Sequence, residues 1–459
     1  AYQLTPYTED LSAQLIFGAI PAEGKLPVTV NERFAYGAGI RTPNLQRLKY
    51  TIPEELGLDS RVINYKIDSI ANYAIDQKAT PGCVVQLAKD GKVFFRKAYG
   101  KHTYEGSEPV KLNDLYDLAS VTKITASTLA LLSLYDEGTF DLDATMKDYL
   151  PFLKKSNKAD LPWRKVLTHS ARLKSWIQFW REARNPDGTW KKNTFSTTQS
   201  VKYPTSVVGD SLFIHKDYRD VIYKSIKDSP LNPEEGYVYS DLSFILYPQV
   251  VKNITGVEFE EYLKNNFYSK LGANSLTFNP KRFYKLDQIV PSERDTFFRQ
   301  TLIHGQVHDE GAVMLGGLSG HAGLFGNAND VMKVMQMYLQ NGYFGGKQHI
   351  SRDALFEFTR YQYPELGSRR GIAFDKPTFR YSGNAPKYAH PLSFGHTGFT
   401  GIMVWMDPTT NLDFVFLSNR VYPTRENTKL YTLNIRTSIM DVVYQALANK
   451  KKEYLMAIP

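Results

Sequence analysis

The stretch "DLYDLASVTKITASTLALL", Asp114 to Leu132, constrains this chain more than any other. From Ala119 to Glu137 there is neither glycine nor proline, and Gly138 stands where a left-handed residue would close a helix. The segment is apolar on nearly every side, so it predicts a helix enclosed by the molecule rather than laid on its surface. Two polar residues interrupt its start, Ser120 and Lys123, three apart and therefore on one helical face. A serine in a first helical turn has its hydroxyl beside unpaired N–H groups and the positive end of the dipole, which suits a developing oxyanion. A lysine in apolar surroundings is costly to keep charged, so its pKa is expected to fall and its amine to accept a proton. Read alone, the pair fits a nucleophile with its base, or two polar residues at a helix start.

The composition can supply a core to enclose such a helix. The 459 residues are 42% hydrophobic and 13% aromatic, a soluble globular balance, and the length favours two lobes over one minimal domain. The formal charge of +9 suggests an anionic partner, but Lys and Arg are interspersed with Asp and Glu, and the late run "NKKKE" suits a helix C-terminus. No nucleic-acid motif accompanies the charge, so nucleic acid is not expected as a partner. The single cysteine, Cys83 in "PGCVVQLAKDG", excludes an internal disulfide and reads as a small buried strand residue. No run reaches membrane-spanning length and no signal peptide is present; a start at Ala1 reads as a processed or excised piece.

Along the chain, residues 1–48 read as an extended arm, because "LIFGAIPAEGKLPVTVNERFAYGAGIRT" is rich in Gly and Pro and lacks helical periodicity. Ile63, Ile67, Ile70 and Ala74 then recur at helical spacing, and "GCVVQLAKDGKVFFRKAYG" reads as two strands turning at Asp90-Gly91. Residues 140–390 are helical and loop-rich, with aromatic and basic segments such as "SWIQFWREARNPDGTWKK". "GIMVWMDPTTNLDFVFLSN" is a second strand pair, turning at "DPTTN", and "LNIRTSIMDVVYQALANKK" closes with an amphipathic helix. The expected architecture is α/β (α+β): an antiparallel sheet flanked by N- and C-terminal helices, from about 55–120 and 390–450, with an inserted all-helical lobe from about 121–389. A cleft between the lobes is the expected place for a site.

Two further motifs bear on Ser120 and Lys123. "GYVYSDLSF" supplies Tyr239-Ser240-Asp241, and "FGHTGFTG" supplies His396-Thr397-Gly398 before a predicted strand. In this order the three sets resemble the Ser-x-x-Lys, Tyr-x-Asn and Lys/His-Thr-Gly signatures of the serine β-lactamase and penicillin-binding protein superfamily. The branch they resemble is that of class C β-lactamases and related D,D-peptidases, esterases and amidases. "DEGTFDLDATMKDYLP", "VLTHS" and "GGLSGHAGLFGNANDVMKVM" resemble further segments of it, so the likeness covers about 55 to 450, within a domain taken as 49–459.

The resemblance implies a β-lactamase/transpeptidase-like fold and an acyl-enzyme without metal or cofactor. By it Ser120 would be acylated, Lys123 would hold and help deprotonate it, and Tyr239 would shuttle the proton, its pKa depressed by nearby cations. His396 would take the basic position opposite, Thr397 and Gly398 would line the substrate channel, and the amides of Ser120 and Phe399 would form the oxyanion hole. Three positions depart from the pattern. Asp241 replaces Asn and could hold Lys123 charged; His396 replaces Lys; and Arg172 in "HSARL" stands where the family has Gly, as a bland loop residue or a clamp for a substrate carboxylate. His304, His308, Asp309, Glu310 and His321 crowd one stretch, but their spacing matches no familiar metal site.

The arm carries a second resemblance. "AQLIFGAIPAEGKLPVTV" followed by "YGAGI" resembles the closing segment of family 3 glycoside hydrolases, the family of β-N-acetylglucosaminidases to which a β-lactamase-like domain can be fused. This implies a covalently linked upstream glycosidase and, with it, peptidoglycan fragments as substrate. An N-acetylmuramoyl-L-alanine amidase is the expected activity, in a bacterial, extracytoplasmic setting. A D,D-carboxypeptidase, D-aminopeptidase, carboxylesterase or β-lactamase fits the motifs as well, and a catalytically silent wall-fragment binding module is the non-enzymatic alternative.

Overall fold

The computed structural model describes residues 3–209, 211–378 and 385–456. A six-stranded sheet organises it, made of β1 (Lys49–Tyr50), β2 (Gly82–Lys89), β3 (Lys92–Gly100), β4 (Phe394–Thr397), β5 (Met403–Asp407) and β6 (Leu412–Ser418). The spatial order is β1-β3-β2-β6-β5-β4, antiparallel throughout except where β1 runs parallel to β3. The two ends of the chain therefore meet at the β2–β6 seam, where Cys83 faces Ser418 and Lys89 faces Leu412.

Both predicted hairpins are present. Asp90 and Gly91 adopt φ of 53° and 73°, the pair of positive values that a two-residue turn needs to match strand twist. Between β5 and β6, Asp407 Oδ1 accepts from Thr409 N at 2.9 Å and Asn411 takes the left-handed position at φ 49°.

Alternation along the strands gives each sheet face its own core. Val85, Leu87, Trp405 and Phe414 face α1 (Ser60–Asp76) and the C-terminal helix α4 (Ile435–Met456). Ile63, Ile67, Ala71 and Ala74 are the buried stripe of α1, one position shifted from the expected Ile70, which is half-buried. Val84, Ala88, Val404 and Val415 face the inserted segment, chiefly α3 (Ala328–Leu339). Cys83 is fully buried, its thiol pushed up to about 12 by burial alone.

The insertion is not wholly helical. It carries a three-stranded sheet of Tyr116–Asp117, Leu324–Gly326 and Thr277–Phe278, and another of Phe195–Ser196, Leu212–Ile214 and Thr205–Val208. Strands this short lack the run of alternating residues that would reveal them in the sequence. The arm likewise opens on a helix, Pro6–Ile16, closed at its start by reciprocal bonds between Thr5 and Thr8. It docks through polar contacts: Gln14 bonds both ways with the Tyr50 backbone, at 2.9 and 3.0 Å.

The segment from Val121 to Leu134 is buried without a break, as its composition predicts. It is not a uniform α-helix: a 3₁₀ turn at Ala119–Val121 and a π turn at Lys123–Ser127 precede the α-helical Thr128–Asp136. The π register leaves carbonyls off the usual ladder, and two tyrosines serve them. Tyr338 Oη donates to Ile124 O at 2.8 Å and Tyr268 Oη to Thr125 O at 2.9 Å. Gly320 lets the 316–323 loop lie against this segment, since a Cβ there would sit 2.2 Å from Phe244 O and 2.5 Å from Ser127 Oγ.

One buried group on the sheet costs stability. Asp413 in β6 has no solvent exposure, and neither carboxyl oxygen has a hydrogen-bond partner. Burial pushes its pKa well above the usual carboxylate range, only partly offset by the Phe414 N–H. A raised folded-state pKa means that stability is full below the unfolded-state value and declines as pH rises towards the folded one. Asp413→Asn should therefore flatten that decline and stabilise the protein by about 1–3 kcal/mol at pH 8, with little effect at pH 4. Urea denaturation at the two pH values measures this; equal pH slopes in both proteins would contradict it.

Candidate active site

Ser120 lies in the 3₁₀ turn that starts the buried segment, and Asp117 braces that turn. Its Oδ1 accepts from Ala119 N at 2.8 Å, its Oδ2 from His308 N at 2.6 Å, and its backbone oxygen from Thr400 Oγ1 at 2.8 Å. Ala119 is held at φ 46°, a left-handed strain of about 1 kcal/mol for a residue with a Cβ. Gly398 passes so close to this turn that a Cβ would lie 2.6 Å from Leu118 O, which explains the glycine after His396-Thr397. Among the described residues, neither Ser120 N–H nor Phe399 N–H has an acceptor.

Lys123 has no solvent exposure, and its Nζ is enclosed by polar partners. It donates to Ser120 Oγ at 2.9 Å and to His321 O at 3.1 Å, and pairs with Asp241 Oδ1 at 2.6 Å. The faces of Tyr239 and Phe244 complete the cage, with ring centroids 5.1 and 5.4 Å away. The sequence-based expectation of a lowered lysine pKa is corrected here. Burial does pull it down, and is the largest single influence, but Asp241 and Tyr239 together outweigh it and hold Lys123 above its ordinary value. Lys123 rests as an ammonium because Asp241 stands in the Asn position.

Tyr239 and Asp241 lie just before the helix α2 (Leu242–Thr255) and are set by the 169–175 loop. Val238 N donates to His169 O, Ser240 N to His169 Nδ1, Ser240 Oγ to Lys174 O and Asp241 N to Ser175 O, at 2.9, 3.1, 2.6 and 2.9 Å. The His169 ring packs 4.5 Å from that of Tyr239 and is held neutral, its pKa well below normal through burial and the cations around it. The Tyr239 hydroxyl is within reach of Lys123 and Ser120, which favour its phenolate, but burial and Asp241 raise its pKa overall. The resting site thus holds an ammonium, a phenol and a carboxylate.

His396, expected in the basic position, is a neutral imidazole. It is buried, and burial is the main cause of a pKa lowered to about 3. Its Nδ1 donates to Thr397 O at 2.7 Å, which leaves Nε2 as a lone-pair acceptor with no partner, its ring 6.2 Å from that of Tyr239. The cation beside Tyr239 is Arg370, a residue not singled out in the sequence. Its guanidinium lies 5.3 Å from the Tyr239 ring centroid, pairs with Asp375 at 2.7 Å and donates to Tyr237 Oη at 2.7 Å. No motif marks Arg370, because only the fold brings it to the centre.

Arg172 is not among the residues gathered around Ser120. Its Nε donates to Asn232 O and its own carbonyl accepts from Asn232 N, both at 2.7 Å, which ties the 169–175 loop to the 230s. Its φ of 60° is the left-handed conformation that glycine adopts freely, which accounts for the glycine of the family pattern. The histidine-rich stretch is spent on internal pairs: His308 with Glu293, His321 with Asp309, and Arg425 with both Glu293 and Glu310. His304 Nε2 bonds the Ile289 and Leu286 carbonyls. Among the described residues no group of three or more His, Cys, Asp or Glu is placed to hold a metal ion.

The Beta-lactamase family model matches residues 67–437. Two curated proteins named "Putative D-alanyl-D-alanine carboxypeptidase", from Escherichia coli O157:H7 and Escherichia coli (strain K12), are each 30% identical over 434 residues, covering 87% of this chain and 93% of the relative. In fold the chain is similar to EstCE1, a hydrolase with promiscuous acyltransferase activity, at TM-score 0.60 and 18% identity over 83% of this chain and 98% of that one. It is also similar to the octameric penicillin-binding protein homologue from Pyrococcus abyssi, at TM-score 0.59 and 18% identity over 83% and 77%.

Asp241→Asn tests the electrostatics. Removing the carboxylate lets burial lower the Lys123 pKa and removes one influence that raises that of Tyr239, so a proton acceptor becomes available at lower pH. The rate at which a fluorophosphonate labels Ser120 should rise by roughly tenfold at pH 7, with its alkaline limb moved towards acid. An unchanged pH profile would show that Asp241 does not govern the pair.

Proposed function

The chain belongs to the Beta-lactamase family and is a serine hydrolase, and from that premise we propose that it cleaves an amide of peptidoglycan fragments through an acyl-Ser120 intermediate. The observation that carries the chemistry is the 2.9 Å bond from Lys123 Nζ to Ser120 Oγ, inside a cage that also holds Tyr239 and Asp241.

In molecules whose Tyr239 has ionised, Ser120 Oγ attacks the amide carbonyl while its proton passes to the Tyr239 phenolate oxygen. Lys123, a permanent ammonium, holds Oγ in line and, with Arg370, stabilises the phenolate. The Ser120 and Phe399 N–H groups receive the oxyanion. Collapse breaks the C–N bond, and the leaving amine takes the proton from Tyr239. Water then attacks the acyl-Ser120 ester, Tyr239 accepts its proton, and release of the acid returns that proton to Ser120. His396 faces the same space with its Nε2 acceptor, and Thr397 ends the adjoining edge strand with Gly398 just after it.

The bond proposed for cleavage joins muramic acid to L-alanine. The support is the likeness of residues 1–48 to the end of a family 3 glucosaminidase, which would sit upstream in the same polypeptide and deliver such fragments outside the bacterial cytoplasm. No helix among the described residues is long and apolar enough to cross a membrane. A second reading, removal of the terminal D-alanine, is favoured by the names of the Escherichia coli relatives.

Mass spectrometry of a MurNAc-pentapeptide digest separates the two: the intact pentapeptide appears in the first case, free D-alanine in the second. Ser120→Ala should lower either rate by about 10³-fold or more. A wild-type protein that is labelled at Ser120 by fluorophosphonate yet leaves the muropeptide whole would sink both readings.

A further inference from the structure

A trough leads away from the reactive centre across the inserted segment. It begins in a small recess lined by Asp241 and His321, two of the residues that bind Lys123, together with Trp176, Ile177 and Gln178. The same Trp176, Ile177 and Gln178 line the next recess, of about 530 Å³, whose rim adds Lys174, Glu182, Lys224 and Asp228. Lys224 and Asp228 in turn border a third, of about 860 Å³, with Phe152 and Tyr223 stacked at its wall, 5.8 Å apart and 8° from parallel. Shared lining residues place the three side by side.

Trp176 stands at the first junction with 56% of its surface exposed, whereas Trp180, four residues on, is buried. An indole this open is not packing a core. Its backbone is held in place by the reactive centre, since the preceding Ser175 carbonyl accepts from Asp241 N at 2.9 Å. The middle recess beside it is polar and balanced, two lysines against two carboxylates, the first recess adds the carboxylates of Asp309 and Glu310, and among the described residues the Gln178 amide has no partner. A phosphate or carboxylate ligand would call for an excess of cations, and an apolar one for apolar walls. A flat aromatic face ringed by alternating donors and acceptors matches a neutral, hydroxyl-rich ring.

We propose that this trough is a saccharide subsite, in which a sugar ring stacks on Trp176 and its hydroxyls bond to Gln178 and the mixed-charge rim. The assignment rests on the reading of the centre as acting on wall fragments, and identifies their glycan end as the part that is recognised. Binding of this remote portion then contributes to catalysis at Ser120 by holding the scissile bond in place.

Two measurements test it. In kinetics, the ratio of kcat/KM for GlcNAc-MurNAc-pentapeptide to that for the shorter MurNAc-pentapeptide should fall about tenfold in Trp176→Ala and recover largely in Trp176→Phe. In calorimetry, Ser120→Ala protein should bind the peptide-free disaccharide GlcNAc-MurNAc, and adding Trp176→Ala should weaken that binding at least tenfold. Disaccharide binding that depends on Trp176, with no fragment cleaved by the wild type, supports the subsite and sinks the amide reading. Cleavage with a ratio and a disaccharide affinity that Trp176→Ala leaves untouched overturns the subsite and spares the reaction. Absence of disaccharide binding together with an unaltered ratio overturns it as well.

Discussion

Lys123 carries a positive charge to a point with no solvent exposure, and the molecule around it is arranged to make that charge tolerable. An ammonium taken out of water loses several kcal/mol of hydration, which a carboxylate, aligned acceptors and aromatic faces together can replace. Here they come from three separate parts of the chain: Ser120 from the same turn, the His321 carbonyl from the glycine-rich stretch, and Tyr239, Asp241 and the Phe244 ring from the loop and first turn that lead into Leu242–Thr255. Removing any one would leave a buried charge less well paired.

The same constraint explains features that look unrelated in the sequence. The 316–323 loop must lie against the buried segment to offer the His321 carbonyl, which is why Gly320 meets Ser127 and Phe244 at a distance no side chain allows. The π turn at Lys123–Ser127 departs from the α-helical ladder, and Tyr338 and Tyr268 accommodate it by serving the displaced carbonyls. On the other side, Gly398 brings the edge of the six-stranded sheet to the Ser120 turn. Sheet and insertion thus meet at one serine.

The charges at the centre have been redistributed relative to the pattern the motifs resemble. A carboxylate at 241 holds Lys123 protonated, a neutral His396 occupies the basic position, and Arg370 brings a cation to Tyr239 from a different element. The Tyr239 ring centroid has the Lys123 ammonium at 5.1 Å and the Arg370 guanidinium at 5.3 Å, while Asp241 opposes the effect of Lys123 on its hydroxyl. Asp241 therefore adds to burial in opposing the phenolate, against the pull of Lys123.

Much of this was legible in the order of residues, for a physical reason. Local periodicity and turn chemistry act over a few neighbours, so the two hairpins, the stripe of Ile63 and Ile67 and the enclosed apolar segment could be read directly. Three short motifs announced Ser120, Lys123, Tyr239, Asp241 and His396. Protonation states could not be read, because each depends on the balance between burial and neighbours distant in sequence: Lys123 against Asp241, His396 against Arg370. The short strands of the insertion, the bracing by Asp117 and the arrival of Arg370 beside Tyr239 also depend on contacts between remote segments. The sequence by itself determined which groups could react; only tertiary packing decided which of them carries the proton.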